Sequence, residues 1–396
     1  MTPKALAAYL YSTYEQYRLT YLQPGTCKHE VIIPELNQIV AQGSGLFTFQ
    51  EIGRSMEGRS ITMVSFGRGA KRAFLWSQMH GDERTATLAL MDIFNFLGQR
   101  AKEEEWVQDL LEQLTIYVVP MVNPDGAERV QRQTAAQIDM NRDARMLATP
   151  EARILSDVHR RLSPAFGFNL HDQPLYSVGP TAKVAALSLL APALDEERSS
   201  PISRVRAMRV GALISCVLAP YIEGHIARYD DGFEPRAFGD MFQARGTSTL
   251  LIESGQWPND PDKTFIRKLN FVALLTSLRS IGNGSYQDVE MDYYTLLKPN
   301  GKMLFDILIR GVVLESPGGW SHSADLGLLF TPLANGKHSR TVSIKEVGDL
   351  SGHHALETIE ASGRKLSTSS VAIDQNVELH SLLDLLQLYH DKYSLI

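Results

Sequence analysis

LWSQMHGDE, at residues 75–83, places a histidine and a glutamate three positions apart directly after an apolar run. Residues 72–76 predict a buried strand that stops at His80, and the apolar positions within residues 85–97 have the spacing of a helix. Gly81 supplies the turn between these two elements. Because α/β sheets keep their active sites at strand ends, His80 and Glu83 are candidates for two ligands of one metal ion.

A second histidine is then required, because a hydrolytic zinc site has three protein ligands and one open position, and two histidines with a glutamate form one such set. Most of the 11 histidines lie in polar surroundings, where a solvated imidazole is the simpler interpretation. His171 differs, because it ends the apolar run 165–170 and precedes Asp172, Gln173 and Pro174. It is therefore the candidate third ligand.

A third apolar run, residues 249–252, ends at Glu253. A carboxylate at such a strand end can act as a general base on metal-activated water. A glutamate that caps a helix or joins a salt bridge is the structural alternative for an isolated residue of this kind. Because His80, Glu83 and His171 are also predicted at strand ends, we favour the role of general base for Glu253.

Residues 115–122 predict a further strand, and the sequence NPDG at 123–126 predicts a tight turn after it. Arg132 and the cluster DMNRD at 139–143 follow. Such arginines ordinarily belong to a solvated surface. A site that recognises a free carboxylate, however, needs a fixed guanidinium for bidentate binding.

The ordered set of these motifs resembles the zinc carboxypeptidases: His80-x-x-Glu83, NPDG at 123–126, Asn141-Arg142, His171 and Glu253. The segment IGRSMEGRS at 52–60, which leads into a predicted strand at 61–66, is also similar to that family. The resemblance covers residues 45–285. It implies an α/β catalytic domain with a mixed central sheet flanked by helices.

The resemblance also implies the chemistry of the site. His80, Glu83 and His171 would bind one Zn²⁺ ion. Glu253 would be the general base and proton shuttle, and Arg132 would stabilise the negative charge that develops on the attacked carbonyl oxygen.

The resemblance implies roles for four further residues. Asn141 and Arg142 would bind the terminal carboxylate of the substrate, and Asp139 would orient the first zinc histidine. Tyr229 is the candidate for the family's mobile active-site tyrosine. Asp82 stands where digestive carboxypeptidases have an arginine, so their substrate contacts are not carried over to this chain.

The expected function is the removal of a C-terminal residue from a peptide or amide substrate with a free carboxylate. One alternative is a murein-peptide amidase or an acyl-amino-acid deacylase on the same scaffold. The other is a binding protein without catalysis, although every expected catalytic position is filled. A peptide with a free terminal acid and its amidated twin distinguish the enzymatic alternatives.

Composition agrees with a globular enzyme of 396 residues. The formal charge of -6 gives no general attraction to nucleic acid or to anionic lipid, and two cysteines, Cys27 and Cys216, predict no disulfide framework. The N-terminus has no apolar signal core, and no segment is expected to span a membrane. We therefore expect a cytoplasmic protein, or a periplasmic or secreted one if a signal peptide was removed. The sequence does not predict an oligomeric state.

The sequence GNGS at 282–285 predicts a domain boundary, with a catalytic domain at 1–285 and a small all-β domain at 286–396. Short strands are expected at 303–310, 312–315, 326–330, 341–347 and 355–359, with turns at 299–301, 317–319 and 335–336. Residues 347–351 and 358–363 resemble the small β domain that accompanies amidohydrolase barrels. The leucine-rich segment 376–396 predicts a terminal amphipathic helix.

Overall fold

The computed structural model of the protein describes residues 1–43, 45–331 and 341–388. The chain folds into two compact units. The first consists of Met1–Pro174 and Ala186–Pro299, and the second consists of Leu175–Ala185 and the residues from Asn300 onward.

The division between the units differs from the boundary predicted after Ser285. The first unit continues to Pro299 because Tyr286 and Tyr294 are buried in its core. The hydroxyl of Tyr294 also accepts a hydrogen bond of 2.8 Å from the backbone N–H of Ala191. In the second unit, the short strand β6 (Ser177–Val178) pairs with β10 (Asn300–Gly301), which explains why the segment before Ala186 belongs there.

The first unit contains the predicted mixed sheet, which has eight strands within the described residues. The strands are β1 (Phe47–Arg54), β2 (Ser60–Gly67), β3 (Lys71–Ser77), β4 (Leu114–Val119), β5 (Phe166–Asp172), β7 (Leu187–Leu190), β8 (Ile226–Arg228) and β9 (Ser248–Ser254). Their order is β1-β2-β4-β3-β5-β9-β7-β8. The pairs β4–β3, β3–β5 and β5–β9 are parallel. The carboxyl ends of β3, β5 and β9 therefore lie at one edge of the sheet.

Helices cover both faces of this sheet. They are α1 (Pro3–Thr13), α2 (His29–Gln42), α3 (Thr85–Arg100), α4 (Glu105–Gln113), α5 (Pro124–Arg129), α6 (Pro150–Leu162), α7 (Ile202–Ile222), α8 (Phe238–Ala244), α9 (Thr264–Asn283) and α10 (Asp292–Thr295). One face, with Leu170 and Ile252, packs in the larger core with α3, α7 and α9. The other, with Trp76, packs against α6 and α8. Burial on both faces explains why the central strands are continuous apolar runs.

Two local expectations at the site's edge were wrong. The strand predicted to stop at His80 ends at Ser77, because Gln78 takes a left-handed conformation (φ 53°) and turns the chain. The NPDG sequence is the start of α5 rather than an isolated turn. The side chain of Asn123 accepts a hydrogen bond of 2.9 Å from the backbone of Gly126, and Pro124 occupies the first helical position.

The helix α7 corrects the expectation that no segment reaches the length of a membrane span. By length and composition it could cross a bilayer. In the first unit, however, 61% of its most apolar window is buried, and it packs against β9 and α9. Burial in the protein core accounts for its apolar sequence.

The second unit is the predicted small β domain. Its sheet has the order β14-β11-β12-β13-β16, and β15 also pairs with β11. The strands are β11 (Leu304–Glu315), β12 (Ser321–Phe330), β13 (Thr341–Gly348), β14 (His354–Glu360), β15 (Lys365–Ser367) and β16 (Asn376–Glu378). The predicted strands 303–310 and 312–315 form one strand, because the register shifts between Ile309 and Val312 and the chain continues beyond it.

The helix predicted for residues 376–396 is shorter in the described region. Its first residues form β16, which pairs with β13, and α11 (Leu379–Leu385) follows. Residues 389–396 and the turn predicted at 335–336 lie outside the described residues. The similarity of this unit to the amidohydrolase accessory domain stays a prediction.

A buried ion pair joins the N-terminal segment of the first unit to α3 and α9. Both carboxylate oxygens of Asp92 accept hydrogen bonds from Arg267, at 2.6 Å from Nε and 2.5 Å from Nη2. Asp92 also accepts from the hydroxyl of Tyr14 at 2.9 Å and from the backbone of Leu19 at 2.9 Å. Arg267 in turn donates to the carbonyl of Leu22 at 2.6 Å. Every oxygen of the carboxylate is thus bonded.

We predict that Asp92→Ala lowers the free energy of unfolding by about 3–5 kcal/mol, because it leaves the Arg267 guanidinium buried and unpaired. Chemical denaturation measures this change. Glu15→Ala is the control, since its exposed pair with Arg18 contributes at most about 1 kcal/mol. Equal, small effects of the two substitutions would contradict the structural role of Asp92.

Candidate active site

His80 and Glu83 lie in the turn between β3 and α3. The side-chain amide of Gln78 donates to the carbonyl of Gly81 at 2.9 Å, and the N–H of Glu83 donates to the carbonyl of His80 at 3.2 Å. Gly81 is required here, because a Cβ at this position would lie 2.0 Å from the backbone carbon of Gly126. The close approach of this turn to α5 fixes where the two side chains point.

His171 completes a compact group with these two residues. The ligand atoms of His80, Glu83 and His171 all lie within 4.8 Å of one another, and all three residues are buried. One oxygen of Glu83 is 2.7 Å from Nδ1 of His80, and the other is 2.7 Å from Nδ1 of His171. Two imidazole nitrogens and one carboxylate in this arrangement suit Zn²⁺ with a position left for water.

The electrostatics of the group fit a cation. Burial lowers the pKa of His80, but the charge of Glu83 and hydrogen bonds to Asp139 and Glu83 outweigh it and raise that pKa to about 9. Burial keeps the pKa of His171 below its usual value. The pKa of Glu83 is held low despite its burial, because both histidines contact its carboxylate. A metal ion would replace the proton that otherwise compensates this buried carboxylate.

Asp139 contacts the Nε2 edge of His80, and Arg132 contacts both Asp139 and the Nδ1 edge of His80, where its Nη1 lies 3.1 Å from Nδ1. Asp139 Oδ1 is 3.0 Å from Nε2 of His80, so it can fix the tautomer that leaves Nδ1 free for a metal. Arg132 donates to Asp139 Oδ2 at 3.1 Å through Nε and to Glu83 at 3.3 Å through Nη1. The half-exposed guanidinium of Arg132 thus faces both the ligand group and solvent.

Asn141 and Arg142 lie beside His171. The amide nitrogen of Asn141 is 3.5 Å from Nε2 of His171, and its oxygen accepts a hydrogen bond of 3.0 Å from the backbone of Phe238. Arg142 donates to the carbonyl of Asn141 at 2.8 Å and leaves 42% of its side chain exposed. Asn141 is thus buried next to the ligand group, and the side chain of the following residue, Arg142, is partly exposed.

Glu253 lies at the end of β9, directly opposite His171 in the parallel register. Its Oε2 is buried and has no hydrogen-bond partner among the described residues. Burial, together with the negative charge of Glu83, raises the pKa of Glu253 well above its usual value. A buried carboxylate with a raised pKa beside a metal-type site has the properties of a general base.

Tyr229 follows β8, and its backbone N–H donates to the carbonyl of Leu189 at 3.0 Å. Its role as the active-site tyrosine stays a prediction. Sequence reasoning missed Glu234, whose Oε2 lies 3.4 Å from Nε of Arg142 and which also pairs with Arg236. No spacing pattern marks Glu234, because its approach depends on the loop before α8.

Sequence reasoning also missed a group of hydrogen bonds next to His171 and Glu253 in the chain. Asp172 accepts hydrogen bonds from Thr85 at 2.6 Å and from Lys263 at 3.4 Å. Lys263 has a left-handed backbone (φ 51°) and also donates to the carbonyl of Ser254 at 3.1 Å. These hydrogen bonds connect the ends of β5 and β9 to the N-terminal ends of α3 and α9.

Comparisons with known proteins agree with this geometry. Residues 32–167 match the family model described as zinc carboxypeptidase. Carboxypeptidase 2 of Trichophyton rubrum is 27% identical over 144 residues, which are 34% of this chain and 26% of that protein. Probable carboxypeptidase 2 of Trichophyton verrucosum (strain HKI 0517) is 33% identical over 101 residues, 26% of this chain and 19% of that protein. The matched region thus spans about a quarter or less of these relatives.

Solved structures share the fold of the first unit. A metallo-carboxypeptidase from Burkholderia cenocepacia matches with a TM-score of 0.52 and 16% identity, over 64% of this chain and 69% of that one. Bovine thrombin-activatable fibrinolysis inhibitor matches with a TM-score of 0.53 and 12% identity, over 65% of this chain and 97% of that one. Residues 32–167 thus match the zinc carboxypeptidase family model, and the solved structures show that the chain shares the carboxypeptidase fold.

Proposed function

We propose that the protein is a zinc-dependent carboxypeptidase that removes the C-terminal residue of a peptide with a free terminal carboxylate. The observation that carries the proposal is the convergence of His80, Glu83 and His171, with Glu253 opposite His171 in the strand register. A cation at this position would lower the pKa of water and polarise the carbonyl that is cleaved.

Glu253 is the proposed base. Its unpaired Oε2 takes a proton from the attacking water, and the raised pKa of the carboxyl suits it to return that proton to the departing amine. Arg132, half exposed beside Glu83, donates hydrogen bonds to the carbonyl oxygen as negative charge develops there. Asp139 holds His80 in one orientation throughout.

Arg142 is the proposed partner of the substrate's terminal carboxylate. Its guanidinium is partly exposed, and Glu234 is a carboxylate that already contacts it. The contact supports a carboxylate as the ligand of this guanidinium, and a substrate carboxylate would replace Glu234 or share the guanidinium with it. Asn141 supports the same surface from beside His171.

The base is tested by Glu253→Gln, which we predict lowers kcat by roughly 10²–10⁴-fold while zinc content stays at one ion per chain. Steady-state hydrolysis of a free-acid peptide and metal analysis of the same preparation measure the two effects. Glu151→Gln is the matched control, because Glu151 is also buried with one unpaired oxygen but lies in α6. Near-normal hydrolysis by Glu253→Gln would show that another group is the base.

Metal removal tests the ligand set. Dialysis against a chelator should abolish hydrolysis and lower Tm by on the order of 5–15 °C, because a tightly bound ion contributes about 4 kcal/mol at a thousandfold excess over Kd. Zinc should restore both. His171→Ala should lose the chelator-dependent Tm shift, whereas His29→Gln, a histidine bonded to Ser60, should keep it. An unchanged Tm in the chelated wild type would argue against a buried metal at this site.

Carboxylate recognition is tested with a free-acid peptide and its C-terminally amidated twin. The wild type should cleave the free acid in strong preference, and Arg142→Ala should lower kcat/KM for the free acid by roughly 10- to 150-fold, the value of a hydrogen bond to a charged group. Its kcat/KM for the amidated peptide should change little. Equal cleavage of the two peptides by the wild type would favour an amidase or deacylase instead.

A further inference from the structure

One face of the central sheet has a row of buried polar groups without hydrogen-bond partners. Among the described residues these include Nε1 of Trp76, both amide atoms of Asn169, Oγ of Ser188 and Oε2 of Glu253. We call these four residues the polar strip. Such groups are rare in folded proteins, because each loses its bonds to water on burial.

The strand register makes the polar strip continuous. Trp76 lies opposite Asn169 on β3 and β5. Asn169 is two residues before His171 and therefore shares its face, and Glu253 lies opposite both His171 and Ser188. The alternate residues Phe168 and Ile252 point into the larger core on the other face. The polar strip thus extends from the proposed base across three further strands.

A glycine of helix α8 lies beside Asn169, one residue of the polar strip. A Cβ at Gly239 would lie 3.3 Å from the amide nitrogen of Asn169 and 3.4 Å from Cγ of Pro192. Alanine is the better residue within a helix, so a glycine here has a cost in stability that needs a structural reason. Its effect is to leave free the space beside the amide nitrogen of Asn169 that a Cβ would fill.

We propose that the polar strip recognises the side chain of the residue that is released, and that it selects an uncharged amide or hydroxyl group. This inference rests on the proposed carboxypeptidase function, because it places the departing residue next to Glu253. Trp76 offers a donor, and Asn169 and Ser188 each offer a donor and an acceptor. The match of donors and acceptors is what carries the assignment.

Other side chains fit less well. A negatively charged group would be repelled by Glu253, and a charged group of either sign would be buried against Trp76, Asn169 and Ser188, which carry no charge. An apolar group would leave the amide and the hydroxyl unpaired. Sites that hydrogen-bond a substrate side chain discriminate strongly against analogues that lack the bonding group.

The test uses free-acid peptides that differ only in the last residue, in pairs of similar shape: asparagine with leucine, and threonine with valine. The zinc-loaded wild type should favour the polar member of each pair by at least tenfold in kcat/KM. Asn169→Leu should reduce that preference at least tenfold. Thr62→Val is the matched control, because its hydroxyl is also buried and unpaired but lies in β2 outside the polar strip.

Two further variants test the proposal independently, in case Asn169→Leu does not fold. Ser188→Ala should reduce the preference to a smaller extent. Gly239→Ala should lower kcat/KM for a C-terminal asparagine more than for a C-terminal glycine, because the added methyl group approaches the Asn169 amide. Equal cleavage within each pair by the wild type would overturn the proposal and leave the polar strip as a site for internal water.

A binding measurement separates this inference from the proposed function. Calorimetric titration of the zinc-loaded protein with free asparagine and free leucine requires no turnover. Preferential binding of asparagine that Asn169→Leu removes, without cleavage of any peptide, would sustain the polar strip and refute the carboxypeptidase. Cleavage of the peptides with no preference, and with an unchanged ratio in Asn169→Leu, would do the reverse.

Discussion

The carboxylate of Glu83, held between the Nδ1 atoms of two histidines at 2.7 Å each, is the contact on which the candidate site depends. Three ionisable groups are buried together there, and such a group is stable only if a proton or a metal ion compensates the carboxylate. His80 comes from a turn after β3, whereas His171 comes from β5. The Glu83 carboxylate can contact both histidines only if these two separate parts of the chain are held in a fixed position relative to each other.

Backbone geometry meets that requirement. The parallel register of β3, β5 and β9 brings their carboxyl ends to one edge, and it sets His171 opposite Glu253. The left-handed Gln78 and the close approach of Gly81 to Gly126 turn His80 and Glu83 back over that edge. Asp172 is hydrogen-bonded to Thr85 and Lys263, and these bonds hold the ends of β5 and β9 in place. The site is preorganised by the sheet and by hydrogen bonds at its edge.

Much of this arrangement could be predicted from local sequence. Apolar runs that end in a histidine or a glutamate locate β3, β5 and β9 because buried parallel strands need no polar alternation. The ligands follow from the same pattern, since the polar residue after such a run lies at a strand end. The order of the motifs then indicates the family, which the match of residues 32–167 supports. The order of the strands in the sheet was not predictable, because it depends on long-range pairing.

Tertiary contacts decided the rest. The first unit extends beyond the glycine-rich segment at 282–285 because Tyr286 and Tyr294 find places in its core, which no local signal marks. Glu234 meets Arg142 only through the loop before α8, and the polar strip exists only once β3, β5, β9 and β7 are in register. Features that one segment makes alone were visible in the sequence, whereas those that require several segments were not.

The central claim is that His80, Glu83 and His171 bind one zinc ion. Crystals of the zinc-supplemented protein, measured at the zinc absorption edge, test it most directly. The account predicts one anomalous peak at about 2.0–2.2 Å from Nδ1 of both histidines and from the Glu83 carboxylate. A well-ordered structure with no peak at these residues, or with the ion bound elsewhere, would contradict it.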